Sequence, residues 1–194
     1  RVTIAHHVPC NTCHYCLNGH HTLCDTLRTT NFDPGGFAEL IRLPPILVDR
    51  GVFPLPDEVS FEEATFTEPL ACALRGQRLA GMGPGKGVLV IGSGIAGLLH
   101  IQLARAVGAG RIVATDIVDY RLGAALRFGA ESALPAPEAT PERLRQAFGG
   151  RLPELVIVCT GAASAIRQGL AAVERGGTVL LFAPSEPGAT IPLP

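Results

Sequence analysis

The stretch that most narrows the fold is "VLVIGSGIAGLLH", residues 88–100. An apolar run bounded by glycine reads as a buried strand, and the apolar spacing of "IAGLLHIQLARAVGA" reads as a helix ending at Gly108. Between them stand Gly92, Gly94 and Gly97 in the order G-x-G-x-x-G. A second apolar run, "RIVATD", ends on Asp116, nineteen residues beyond Gly97, where a dinucleotide fold carries its ribose-binding acid. Gly92 permits the tight turn, Gly94 lets backbone approach a pyrophosphate, and Gly97 lets the helix pack on the sheet. Free N–H groups and a partial positive charge at the helix start, around Ala96, suit the phosphates. Asp116 can accept hydrogen bonds from both ribose hydroxyls and repels a 2′-phosphate, which favours NAD over NADP. The plainer alternative is an ordinary strand-to-helix turn with Asp116 capping the next helix. Arg121 can reach the same ribose, or can face solvent as many helical arginines do.

The same alternation continues along the chain. "DYRLGAALRFGA" reads as a helix with Asp119 as N-cap, "SALP" as a weak strand, and Thr140-Pro141 as a capped helix start. "ELVIVCTG", "SAIRQGLAAVERGG" and "TVLLFAP" then read as strand, helix and strand. Strands alternating with helices imply an α/β fold with a doubly wound parallel sheet. Residues 1–70 differ, reading as loops and short strands rich in turn formers. The expected division is therefore 1–70 and 71–194.

Composition excludes several classes. Hydrophobic residues at 47% against 17% charged argue against disorder. A formal net charge of -1 gives no electrostatic case for a nucleic-acid or anionic-membrane partner. No apolar run is long enough to span a bilayer, and the first residues lack the regions of a signal peptide. The expected compartment is a reducing cytoplasm, where clustered cysteines bind metal more often than they form disulfides. Both ends look cut: Arg1 opens directly into strand-like sequence, and "GATIPLP" closes just after a strand. The chain reads as an interior segment of a longer protein.

Residues 10–24, "CNTCHYCLNGHHTLC", hold Cys10, Cys13, Cys16 and Cys24 in the pattern C-x2-C-x2-C-x7-C. Four thiolates at this spacing suit tetrahedral Zn2+ tying a loop with little core. The first three also match the start of a ferredoxin-type run, but the fourth does not, and Asp25 rather than proline follows it. Disulfides would be strained at such spacings. A four-cysteine zinc has no open position, so the site is expected to be structural. His14, His20 and His21 then read as exposed loop residues, the alternative being that one replaces a cysteine ligand. His6 and His7 would point to opposite faces of a strand. Cys72 and Cys159, in apolar contexts, read as small core residues.

A zinc lobe before a dinucleotide fold resembles the zinc-containing medium-chain alcohol dehydrogenases, especially the sorbitol and threonine dehydrogenase-like branch. The blocks that carry the resemblance run almost end to end: "VPCNTCHYCLNGHHTLC", "GGFAEL", "VSFEEATFTEPLACAL", "GVLVIGSGIAGLLHIQLARAVGAGRIVATD", "YRLGAALRFGA" and "GGTVLLFAP". The resemblance implies a partial GroES-like, β-rich catalytic domain followed by a Rossmann domain that lacks its last strand. It implies zinc-dependent hydride exchange between a secondary alcohol, polyol or amino alcohol and NAD, with a second, catalytic zinc polarising the alcohol oxygen. Glu68 of "TEPL" falls where that branch has an acid at the catalytic zinc. The plainer reading is an acid favoured at a helix start. Phe182, Ala183 and Pro184 match positions where backbone approaches the nicotinamide. The family's other catalytic ligands, a cysteine and a His-Glu pair, would precede Arg1. A homo-oligomer, dimer or tetramer, is implied for the full-length protein. Two rivals remain: a quinone reductase-like or sensor protein without catalytic zinc, and a zinc-ribbon interaction module.

Overall fold

A computed structural model describes residues 1–191. Of the span 71–194 expected for the second domain, Pro192, Leu193 and Pro194 lie outside the described residues. The chain divides into two units, Arg1–Glu68 and Pro69 onward.

The first unit begins with β1 (Val2–Ile4) and continues through the short helices α1 (His14–Leu17), α2 (Asp25–Thr29) and α3 (Pro45–Gly51) to β2 (Val52–Pro54). β1 and β2 pair antiparallel, Thr3 opposite Phe53. The helix α4 (Phe61–Ala64) follows, and α5 (Thr67–Leu79) starts at the unit's end. None of α1 to α4 was expected in a stretch read as loops and short strands. Each is one or two turns long. α3 opens on Pro45 at its first position, and α4 carries a full capping box. In that box Glu63 N–H donates to Ser60 Oγ at 3.1 Å, and Ser60 N–H donates to Glu63 Oε2 at 2.8 Å. His6 and His7 lie beyond β1 and meet edge to face, ring centroids 3.7 Å apart and planes at 72°, and do not face opposite ways across a strand.

The second unit is a doubly wound α/β fold. Its strands are β3 (Val88–Ile91), β4 (Ile112–Asp116), β5 (Ser132–Pro135), β6 (Leu155–Val158) and β7 (Thr178–Leu181). They form a parallel sheet in the order β5-β4-β3-β6-β7. The connecting helices are α6 (Ile95–Ala106), α7 (Asp119–Arg127), α8 (Pro141–Ala147) and α9 (Ala163–Ala171). Alternate residues of each strand supply opposite faces. Val88 and Val90 join Ile101, Ala125 and Ile157 on one face; Leu89 and Ile91 join Leu144, Val156 and Ile166 on the other. Because both faces are covered, β3 and β6 are continuous apolar runs, each worth several kcal/mol at ~1.5–3 kcal/mol per buried aliphatic side chain. The chain leaves β3 toward β4 and β5, then returns to the other side through β6. That reversal opens a crevice at the carboxyl ends of β3 and β6.

Two local expectations are corrected. Val118, in extended conformation, is the N-cap of α7, and Asp119 is its first helical residue. Cys72 is exposed and not a core residue, whereas Cys159 packs partly buried against the core as expected, and burial pushes its thiol up to about 12.

His100 of α6 is fully buried, and burial lowers its imidazole to about 4. The unfolded chain binds a proton near the ordinary value of 6.5 while the folded chain stays neutral. Stability is therefore full above that value and falls as pH drops from about 6.5 toward 4, by roughly 3 kcal/mol in all. In denaturant titrations wild type should lose about 2–3 kcal/mol of stability relative to His100→Phe between pH 7 and pH 4.5. A gap independent of pH would refute this assignment.

Candidate functional site

Each unit contains one candidate site. In the first, Asn11 adopts φ 58, a left-handed conformation that asparagine tolerates, and folds Cys10 to Cys13 into a tight turn. α1 carries Cys16, and Cys24 is the N-cap of α2. The Sγ atoms of Cys13 and Cys16 lie 3.5 Å apart, those of Cys10 and Cys24 3.7 Å, and those of Cys10 and Cys16 4.0 Å. All four fall within 4.8 Å of one another. A tetrahedron with Zn–S bonds of about 2.3 Å has edges of about 3.8 Å, so the donor set fits one Zn2+. The amides of Thr12 and Cys13 donate to Cys10 Sγ at 3.4 and 3.3 Å. Hydrogen bonding from Thr12, then Cys13, holds the Cys10 thiol down to about 5, favouring the thiolate a metal needs.

Arg50 was not legible as part of this site. From α3, its Nη1 donates to the Pro9 carbonyl at 3.1 Å and also to the Cys10 carbonyl. It thus grips the turn from forty residues away. His14 opens α1, and His20 and His21 follow it. None joins the thiols: among the described residues the four cysteines are the one group of three or more His, Cys, Asp or Glu donors close enough to share an ion. Glu68 is exposed in the first turn of α5 and belongs to no such group. It does act on His7. Burial and then the neighbouring His6 lower the His7 imidazole below its ordinary value, while the Glu68 carboxylate works the other way.

The second site lies at the carboxyl ends of β3 and β4. Gly92 has φ +92, and its N–H donates to the Thr115 carbonyl at 2.8 Å. A Cβ on Gly97 would sit 2.0 Å from the Gly92 carbonyl oxygen, so α6 can approach the loop only with glycine there. Gly94 has open space where a Cβ would lie, and it is the N-cap of α6 with no side-chain cap. The first N–H groups of a twelve-residue helix, around Ala96, therefore remain available to an anion.

Asp116 is 5% exposed. Its Oδ2 accepts the Ser93 N–H at 2.7 Å and lies 3.9 Å from Arg121 Nη1, and its Oδ1 accepts the Val118 N–H at 3.0 Å. A carboxylate has about four acceptor positions, so each oxygen keeps capacity for a ligand hydroxyl. A cavity of ≈ 470 Å³ opens here, lined by Gly92, Gly94, Asp116 and Arg121. Ala136, Thr160 and Gln168 also line it and were not singled out from the sequence. They come from the ends of later strands and from α9, and only the fold brings them together. Gln168 Nε2 fixes the loop after β5 by donating to the Ala136 carbonyl at 2.7 Å. Phe182 and Ala183 follow the carboxyl end of β7, their N–H groups donating to the Val158 carbonyl at 3.0 and 3.3 Å. Pro184 comes next, its carbonyl oxygen 2.3 Å from where a Cβ on Gly161 would lie.

Comparison with known proteins agrees with this architecture. The family model described as zinc-binding dehydrogenase matches residues 96–194. Sorbitol dehydrogenase from Ovis aries is 33% identical over 198 residues, covering 100% of this chain and 55% of its own length. An alcohol dehydrogenase from Thermus sp. ATN1 superposes with a TM-score of 0.86 at 29% identity, covering 100% of this chain and 57% of that one. A Sinorhizobium meliloti zinc-binding dehydrogenase solved with NADP gives a TM-score of 0.86 at 28% identity, with the same coverage. The chain spans about half the length of the curated relatives it matches.

If the four thiols hold a metal, Cys24→Ser should lower the zinc content of the purified protein by one ion per chain. Protease cleavage within residues 10–24 should become faster. Unchanged zinc content would remove the cluster as a metal site.

Proposed function

The chain belongs to the zinc-binding dehydrogenase family, and from that premise we propose that the full-length protein is an NAD-dependent oxidoreductase. It would exchange a hydride between a secondary alcohol, polyol or amino alcohol and the cofactor. The observation that carries the cofactor reading is Asp116: a carboxylate fixed by two backbone amides at the rim of a cavity that begins at a glycine loop. Sorbitol dehydrogenase among the relatives supports the polyol class.

In this reading Gly92, Gly94, Gly97 and the amides near Ala96 hold the pyrophosphate against the N-terminus of α6. Asp116 accepts from the adenosine ribose, and Arg121 flanks it. The backbone of Phe182, Ala183 and Pro184 borders the nicotinamide half. The bound nicotinamide supplies the hydride chemistry, while the residues named here bind and orient. Cys10, Cys13, Cys16 and Cys24 would hold a zinc that braces their loop, since four thiolates leave no seat for a substrate. Glu68 is assigned to a second, catalytic zinc. Among the described residues Glu68 belongs to no group of three or more His, Cys, Asp or Glu donors close enough to share an ion. A homo-oligomer, dimer or tetramer, and a cytoplasmic location extend the proposal. Among the described residues no helix is long and apolar enough to cross a membrane.

Steady-state rates of polyol and amino-alcohol oxidation by the full-length protein test the reading. Efficiency with NAD should exceed that with NADP by about tenfold or more, because a 2′-phosphate would meet the Asp116 carboxylate in a partly desolvated site. A preference for NADP would sink the role given to Asp116. Glu68→Gln should lower kcat by about tenfold or more while the melting temperature stays nearly constant, as expected for an exposed position. Unaltered turnover would refute its placement at a metal.

A further inference from the structure

Below the segment that follows β7 lies a buried polar pair to which the cofactor reading gives no task. Gln77 of α5 is 2% exposed and His100 of α6 0%. Gln77 Nε2 donates to the His100 carbonyl at 2.8 Å and lies 3.2 Å from His100 Nδ1. With Nδ1 accepting, the neutral imidazole carries its proton on Nε2. That atom and Gln77 Oε1 have no hydrogen-bond partner among the described residues. Bare polar atoms in an interior are unfavourable, and a leucine or methionine would fill this space without them. The pair is thus poorly explained as packing alone.

What it touches is specific. The His100 ring stands perpendicular to Phe182, with centroids 4.4 Å apart and planes at 87°. Gly76 of α5 closes on the same ring, so that a Cβ there would come within 3.3 Å of it. On the backbone side, Phe182 and Ala183 hang from the Val158 carbonyl, and Gly161 abuts the Pro184 carbonyl. The segment is therefore set by its hydrogen bonds at one side and by the His100–Phe182 ring contact at the other.

A doubly wound sheet binds a dinucleotide as two mononucleotide halves, each over the strand ends of one half of the sheet. Asp116 and Arg121 belong to the half built from β3, β4 and β5. The other half is β6 and β7, and Phe182 to Pro184 continue β7. Resting on the NAD reading above, we propose that Gln77 and His100 are positioning residues: they fix Phe182, and through it the backbone that borders the nicotinamide end of the cofactor.

The test compares NADH with ADP-ribose, which lacks the nicotinamide half, by titration calorimetry and by the fluorescence of bound NADH on the full-length protein. His100→Ala should weaken NADH by about tenfold and leave ADP-ribose within about twofold. His100→Phe, which keeps a ring against Phe182, should recover most of the loss. Gln77→Leu, close in volume, reads the same two affinities if His100→Ala does not fold. Equal weakening of both ligands would mean the pair only supports the fold, and no weakening in a folded variant would mean it positions nothing; either overturns the inference. Failure of the wild type to bind either ligand overturns the NAD reading, and this inference with it.

Discussion

The second unit depends on one close approach, that of α6 to the turn after β3. Gly97 lies so near the Gly92 carbonyl that no side chain fits between them. This contact seats the N-terminus of α6 over the strand ends and leaves Gly94 facing open space. It also holds Ser93 where its amide can meet Asp116 on the neighbouring strand. The open helix N-terminus and the placement of Asp116, the groups proposed for phosphate and ribose, are thus consequences of a single steric fit. A methyl group at Gly97 would separate helix from loop and disturb both.

The cysteine loop obeys a different logic. Its residues bury little apolar surface, so directed hydrogen bonds, and the zinc proposed for its four thiols, would supply what a core supplies elsewhere. Arg50 is one protein contribution, its guanidinium donating to two carbonyls of the turn that carries Cys10. Arginine suits this work because its donors are fixed in a plane.

The parallel sheet was legible because strands buried on both faces leave uninterrupted apolar runs such as "VLVIG" and "ELVIV". The glycine loop was legible because its spacing answers to a steric need that the structure displays at Gly97. The helices α1 to α4 were not legible, being held by caps and by the cysteine turn more than by apolar periodicity. Asp119 illustrates a finer limit: an acid near a helix start is favoured at several positions, and the choice of Val118 as the cap depends on how the chain leaves β4. Gln77 and His100 were missed for another reason. Polar residues within helices read as solvent-facing, and only packing reveals that these two face one another in the core. Arg50, Thr160 and Gln168 carry no local signal, because their roles exist only once distant segments meet.

Asp116 spends two of its acceptor positions on the chain's own amides. The carboxylate that would select the cofactor therefore also pins the glycine loop and the start of α7. Under that reading, cofactor choice and loop conformation would be inherited together. A lineage exchanging Asp116 for a small neutral residue to admit a phosphorylated ribose would also release the Ser93 and Val118 amides. It would need a new acceptor for both before the exchange became tolerable. A change of cofactor along this route is a coordinated event involving at least two positions, and the intermediate with only Asp116 altered pays in loop order.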